Sequence, residues 1–207
     1  MAEVLKIPKP CQEELKKWLD KWDKMENYRN QESALNKLFH ETYPENVDIR
    51  EILIKIATLN DFYSTHILNI FEVAKHIKNI ENLDYRLQTG DESLVNEIAE
   101  VGLENKNGKK IIFYSFATKF CSHHNDKDFA IYDSYVEKIL MHFKKCDNFS
   151  NEFTKKEDLK GYSKFKKVLV DFRIHYKLDC NLKELDRYLW QLGREYFTRF
   201  NKKNSNK

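Results

Sequence analysis

Three side chains, Ser115, Lys119 and Asp133, combine residue types that could act together on a reacting group. Ser115 and Lys119 are four residues apart, so a helix would place them on the same face. Asp133 follows the apolar residues 129–132 and precedes a predicted helix, whose N-terminal amides and dipole would keep its carboxylate ionised. Such a carboxylate either stabilises positive charge in a reaction or only caps its helix. These three residues are the candidate catalytic group.

The sequence around Asp133 matches a known pattern. Residues 129–140 read FAIYDSYVEKIL. This segment resembles the stretch of the helix-hairpin-helix DNA glycosylase superfamily in which an Asp opens a helix, written F-P-I-L-D-G-N-V-K-R-V-L in the adenine-specific branch. The matching positions are Phe129, Ile131, Asp133, Val136 and Leu140. Ser115 falls where that branch has a Ser. The resemblance implies an all-α fold and base excision, with Asp133 stabilising the sugar cation as the N-glycosidic bond breaks.

The chain departs from this superfamily at two features. The hairpin whose glycine amides bind phosphate would fall on residues 109–113, which read KKIIF and contain no glycine. The hairpin is therefore missing or replaced by the loop around Gly108. Ser115 also occupies the position where the bifunctional branches have their Schiff-base lysine, which favours a monofunctional enzyme. Lys119 is a relocated nucleophile, a phosphate contact or a solvated lysine.

Aromatic and imidazole side chains near Asp133 are candidates for contacts to an extruded base or to DNA. Tyr132 and Tyr135 flank Asp133 and could stack on a base, although such rings also build cores. His123 and His124 are placed where they could touch phosphate or solvent. Residues 59–66, which include Asn60, either line a cleft that faces Asp133 or cap helices.

The predicted C-terminal helix contains a second candidate group. In the oxoguanine-directed branch of the superfamily, a C-terminal helix carries an amide that reads the base edge and an aromatic ring that stacks on the base. Gln191 and Trp190 correspond to these groups by residue type and location. The alternative is that Trp190 belongs to the core and Gln191 to the surface. Gly193 lies within this helix, where glycine costs about 1 kcal/mol relative to alanine. It therefore predicts close packing against a neighbouring helix or a ligand.

Charge gives a local rather than a global indication of a nucleic-acid partner. The net charge is only +3, but residues 155–173 contain seven basic residues and three acidic ones. Within this stretch Lys164, Lys166 and Lys167 are candidate contacts to the DNA backbone, or form an ordinary solvated helix face. The spacing of Cys121, His123, His124 and Cys146 matches no common metal-ligand pattern, so we expect no metal.

Composition favours helices throughout, because the chain is 41% hydrophobic with only five glycines and three prolines. Amphipathic spacing predicts helices near residues 11–25, 32–42, 47–59, 63–80, 91–103, 133–143, 158–176 and 181–200. We expect residues 63–80 to form a central helix. The expected fold class is a multi-helix orthogonal array, as one all-α domain over residues 1–207 or as two helical halves enclosing a cleft.

These observations define the expected function. We expect a cytoplasmic DNA base-excision glycosylase-like protein that binds double-stranded DNA and uses no cofactor. No apolar stretch is long enough to span a membrane. The first alternative is a non-catalytic module that uses the same fold to bind nucleic acid or protein. The second is a helical protein-interaction domain with no nucleic-acid role.

Overall fold

The computed structural model describes residues 6–204, with side chains described from 6 to 198. This part of the chain contains ten α-helices: α1 Gln12–Trp22, α2 Glu26–Lys37, α3 Ile49–Tyr63, α4 Ile70–Lys78, α5 Leu83–Gln88, α6 Ser93–Ala99, α7 Tyr114–His124, α8 Ser134–Asp147, α9 Tyr162–His175 and α10 Leu182–Asn204. A π-helical turn, Leu38–Thr42, continues α2, and a 3-10 helix, Lys156–Lys160, precedes α9. Extended pairing in residues 6–204 is limited to one isolated bridge between Glu104 and Lys110. The all-α prediction is confirmed.

The chain divides into two compact units. The terminal unit comprises residues 1–25, 133–160 and 164–207, and the middle unit comprises residues 26–132 and 161–163. Asp133 is thus the first residue of its segment in the terminal unit, while Ser115 and Lys119 belong to the middle unit. Among the helices of residues 6–204, none combines the length and apolar character needed to cross a bilayer.

Helix α7 forms the core of the middle unit. Nine of its eleven residues are buried, including two consecutive turns from Phe116 to His123. It packs against α3, α5 and α6, and Phe39 of the π-helical turn lies with its ring edge-on to that of Phe120, the centroids 5.9 Å apart. A helix that is buried on nearly all sides must be surrounded by other elements. The central helix of this unit is therefore α7 rather than the predicted 63–80.

The prediction of one helix over residues 63–80 is wrong, because the chain leaves the helical conformation between α3 and α4. Ser64 and His66 both adopt left-handed backbone conformations, with φ of 48° and 57°. The side chain of Asn60 supports this break: its amide nitrogen donates to the Ile67 carbonyl at 3.0 Å, and its oxygen accepts from the Ile67 amide at 2.8 Å. These bonds replace helical ones, so Asn60 acts as an anchor for the loop.

In the terminal unit, α10 packs against both α1 and α8. Gly193 lies where α10 meets α8: a Cβ atom added there would be 2.7 Å from both the Cβ and the carbonyl oxygen of Tyr135. Real Cβ atoms essentially never approach so closely. The prediction that this glycine permits close packing of a neighbouring helix is confirmed.

Candidate functional site

Lys119 is a buried lysine in the middle of α7. Its side chain is only 1% exposed, so it is not a solvated lysine. The ammonium donates to Ser115 Oγ at 2.6 Å, to the Ser115 carbonyl at 3.2 Å and to the Tyr132 carbonyl at 3.2 Å. Ser115 and Lys119 therefore share one helix face, as their spacing predicts. The ammonium faces protein oxygens in the interior instead of the surface, where a phosphate contact would have to lie.

Ser115 serves as a partner for Lys119. Its Oγ accepts from the ammonium and donates its proton to the Tyr132 carbonyl at 3.1 Å. A nucleophilic hydroxyl needs a base that accepts its proton, and a peptide carbonyl is not such a base. The hydroxyl is therefore arranged to position Lys119 and the Tyr132 peptide.

The approach segment, residues 129–132, is extended and is held by side chains of the middle unit. The Ala130 amide donates to Tyr162 Oη at 2.6 Å, and the Tyr132 amide donates to Thr118 Oγ1 at 3.1 Å. Burial raises the pKa of Tyr162, so its hydroxyl stays protonated and donates in turn to the Ala130 carbonyl at 3.3 Å. With the bonds from Lys119 and Ser115, both polar groups of the Tyr132 backbone are fixed.

Asp133 is the N-cap of α8. Its backbone is extended, with φ −137° and ψ 153°, and its Oδ1 accepts from the Tyr135 amide at 2.7 Å. Its carbonyl accepts from the Glu137 amide and so begins the helical hydrogen bonding. The capping role predicted for Asp133 is confirmed. The carboxylate therefore lies at the positive end of the α8 dipole.

The two tyrosines that flank Asp133 have different surroundings. Tyr132 is buried, and its ring packs edge-on to Tyr114 at a centroid distance of 5.0 Å. Tyr135 is half-buried; its Oη lies 3.0 Å from Thr198 Oγ1, and its Cβ occupies the space left by Gly193. In this conformation Tyr132 is a core residue, whereas Tyr135 retains partial exposure. Tyr135 is therefore the better candidate for stacking.

Gln191 is buried, contrary to the alternative that places it on the surface. Its amide nitrogen donates to the Trp18 carbonyl at 2.9 Å and to the Arg187 carbonyl at 3.1 Å. Its Oε1 is buried without a hydrogen-bond partner. Trp190 is half-buried, with its ring edge-on to Trp22 at 5.9 Å. The hydrogen bond to Trp18 joins α10 to α1, so the Gln191 amide has a structural role.

His123 and His124 line the interior of the middle unit. His123 is buried, and its Nε2 lies 2.8 Å from Tyr63 Oη. His124 is half-buried, with its Nε2 3.2 Å from Asn46 Nδ2. His123 is therefore not placed to touch phosphate or solvent.

The three candidate backbone-binding lysines lie on α9. Lys164 and Lys167 are exposed and Lys166 is half-buried. The ammonium of Lys167 forms an ion pair with Glu152. The exposed lysines are thus accessible, but part of their charge is already paired.

The segment expected to replace the hairpin forms a tight turn at Gly108, which has a positive φ of 71°. Asn105 Oδ1 accepts from the backbone amides of Asn107 and Lys109 at 2.9 and 3.1 Å. A phosphate-binding loop needs amides that point outward without a partner. These two amides are occupied, so the turn does not reproduce the function of a glycine hairpin.

A buried polar network in the middle unit was not predicted. Lys55 is fully buried in α3, and its ammonium donates to Asn46 Oδ1 at 2.7 Å and to the carbonyls of Glu45 and Tyr43 at 2.9 and 3.0 Å. Burial lowers the pKa of Lys55 to about 8. One sequence signal existed: Lys55 lies three residues after Ile52 and next to Ile56, on the apolar face of its helix. In residues 6–204, no three His, Cys, Asp or Glu side chains are grouped to hold a metal ion.

Two comparisons with known proteins give matches. A family model, HI_0787_N, described as an N-terminal domain, matches residues 14–128. A Haemophilus influenzae protein named as an uncharacterized protein is 53% identical over 149 residues, which cover 72% of this chain and 69% of the relative. No solved structure matches. The family match includes Ser115, Lys119 and the Lys55 network and ends before Asp133. The chain belongs to the HI_0787_N family.

Proposed function

We propose that this protein is a DNA base-excision glycosylase that hydrolyses the N-glycosidic bond of a damaged or mispaired base. The single observation that supports it most is the placement of Asp133, a carboxylate at the N-terminus of α8, within a segment that resembles the glycosylase motif. Bond cleavage builds positive charge on the deoxyribose, and an ionised carboxylate lowers the energy of that state.

Lys119 and Ser115 hold the backbone of the residue before Asp133. Lys119 and Ser115 both donate to the carbonyl of the peptide that joins Tyr132 to Asp133. A carboxylate is effective in a transition state only when its position is set before the reaction begins. In the proposed mechanism the bond from the Tyr135 amide sets the position of the Asp133 carboxylate, which acts on the sugar. Tyr135 would contact the base, and Lys164 and Lys166 the phosphates.

The hydrogen bonding of Lys119 favours a monofunctional reaction. An ammonium group has three N–H bonds, and Lys119 has three oxygen acceptors. A Schiff-base nucleophile must instead be a neutral amine with a free lone pair. Water would therefore attack the sugar, and no covalent enzyme–DNA intermediate would form.

The test is base release from duplexes that each carry one damaged or mismatched base, with alkali to reveal abasic sites. Asp133→Asn is the informative variant, because asparagine caps helices as well as aspartate but carries no charge. We expect it to lower the excision rate by at least about 100-fold without loss of stability. Asp48→Asn is the matched control, since Asp48 caps α3 with the same kind of bond, to the Arg50 amide at 2.9 Å. Full excision by Asp133→Asn would exclude the proposed role.

Borohydride trapping distinguishes attack by water from attack by a lysine that forms a Schiff base. We expect no trapped complex with wild-type protein during excision. A trapped complex that disappears in Lys119→Gln would identify Lys119 as a nucleophile and contradict the monofunctional mechanism.

A non-catalytic module that binds nucleic acid is the second candidate function. The occupied amides of the Gly108 turn favour it, because the chain lacks the backbone phosphate site of the active glycosylases it resembles. Duplex binding with a steep salt dependence but no base release on any substrate would support this alternative. Lys164→Gln with Lys166→Gln should then reduce the slope of log K against log salt by about 1 to 2.

A further inference from the structure

A short hairpin, residues 104–110, connects α6 to α7 in the middle unit. Its two arms meet at the isolated bridge, and the Asn105 amide donates to the Lys109 carbonyl at 2.9 Å. Gly108 closes the turn with its positive φ, and its amide donates to the Asn105 carbonyl at 2.9 Å. With the two bonds that Asn105 Oδ1 accepts, four backbone amides of the turn are paired within it. The 104–110 hairpin therefore has a defined conformation.

The base of the hairpin is attached to the core of the middle unit. The Ile111 amide donates to the Leu103 carbonyl at 2.8 Å, which holds the two arms together below the bridge. The Phe113 amide donates to the carbonyl of Ala99, the last residue of α6, at 3.0 Å, and α7 begins at the next residue. Because both ends of the hairpin are fixed, a partner that binds its tip has little backbone to order.

The hairpin concentrates positive charge on the surface. Every residue from 104 to 110 is exposed, and three of the seven are lysines: Lys106, Lys109 and Lys110. Glu104 is the single acidic residue, so the hairpin has a net charge of +2, whereas the whole chain has only +3. In residues 6–198 none of these three ammonium groups takes part in an ion pair, unlike that of Lys167. Their charge is therefore available to an anionic partner.

The side chains of the hairpin suit phosphate groups better than bases. Residues 104–110 read ENKNGKK, which contains no aromatic ring on which a base could stack. A lysine ammonium can only donate, and it binds a phosphate as a mobile point charge. Contacts of this kind neutralise the nucleic-acid backbone and carry no information about base sequence. The composition of the hairpin thus indicates binding to phosphates without base recognition.

We propose that the 104–110 hairpin binds the phosphate backbone of double-stranded DNA through the side chains of Lys106, Lys109 and Lys110. Their ammonium groups take the place of outward-pointing backbone amides, because the amides of Asn107 and Lys109 are paired with Asn105. The inference rests on the proposed function for its choice of duplex DNA as the partner. It concerns binding alone and does not require base excision.

The test measures the affinity of the full-length protein for an undamaged, fluorescently labelled duplex by anisotropy over a range of salt concentrations. The variant combines Lys106→Gln, Lys109→Gln and Lys110→Gln. The hairpin should persist in it, because the bonds of Lys109 within the hairpin come from its backbone atoms. We expect the slope of log K against log salt to become shallower by about 2 to 3, and binding at low salt to weaken at least about tenfold. The loss should be equal for duplexes of different sequence.

The matched control removes the same charge from exposed lysines elsewhere, by combining Lys16→Gln, Lys24→Gln and Lys37→Gln. It should leave the slope unchanged, which separates the hairpin from a general effect of net charge. An unchanged slope in the hairpin variant, an equal change in the control, or no duplex binding by the wild type would overturn the inference. A shallower slope in the hairpin variant alone would support it even if the wild type excised no base, a result that would contradict only the glycosylase activity.

Discussion

Gly193→Ala is expected to destabilise the terminal unit, because the new methyl group would meet backbone atoms of α8. The added Cβ would lie 2.7 Å from the Tyr135 carbonyl oxygen and 2.9 Å from its carbonyl carbon. Backbone atoms cannot rotate away as a flexible side chain can, so the overpacking cost should reach the upper end of the usual range, about 3 kcal/mol. Alanine recovers about 1 kcal/mol through its higher helix propensity. The net loss is about 2 kcal/mol.

The assay is thermal and urea unfolding of Gly193→Ala beside a matched glycine variant. A loss of about 2 kcal/mol corresponds to a decrease in Tm of about 4–8 °C for a chain of this size. Gly161→Ala is the control, because a Cβ at that exposed position meets nothing within 4 Å. It should change the stability by less than about 0.5 kcal/mol. If Gly193→Ala is as stable as the wild type or more stable, the packing argument for α8 and α10 is refuted.

Three other predictions concern the buried groups of the middle unit. The pKa of Lys55 is lowered to about 8 in the folded state and is about 10.4 in the unfolded state. Between these pH values the unfolded state binds more protons, so the folded state gains stability as the pH rises. In urea melts the free energy of unfolding, relative to Lys55→Met, should therefore rise by about 2 kcal/mol from pH 8 to pH 10. A difference in the free energy of unfolding that does not change with pH would contradict this prediction. Burial raises the pKa of Cys121, so iodoacetamide should label the exposed Cys11 and Cys146 first in mass spectra of native protein. Early labelling of Cys121 would show that α7 is accessible. Lys119→Met should cost about 1–3 kcal/mol, measured by denaturant unfolding, because it removes the buried ammonium that donates to Ser115 and to the Tyr132 carbonyl. An unchanged midpoint would exclude that structural role.

Sequence patterns predicted the features that are determined within a single helix and its ends. The four-residue spacing of Ser115 and Lys119 places them on one face of α7, and the cap at Asp133 follows from an aspartate before an amphipathic run. Gly193 predicted a close contact because glycine within a helix needs a compensating interaction. In each case the signal lies within one helix and its ends, where periodicity and capping rules apply.

Features that depend on distant partners could not be predicted in the same way. The apolar spacing after Tyr63 continues through residues 64–69, yet the bonds from Asn60 favour a loop there. The burial of Gln191 depends on the Trp18 carbonyl, 173 residues away in sequence. Asn46 forms hydrogen bonds to Lys55 of α3, Asp84 of α5 and His124 of α7, and no spacing within a single helix indicates this network. Tertiary contacts decided these positions.

The most direct test of the central claim compares base excision by the wild type with that by Asp133→Asn, using Asp48→Asn as the control and one lesion per duplex. We expect excision of at least one lesion by the wild type and by Asp48→Asn, and at least about a 100-fold lower rate for a folded Asp133→Asn. Equal rates for all three proteins, or no excision of any lesion by the wild type, would contradict it.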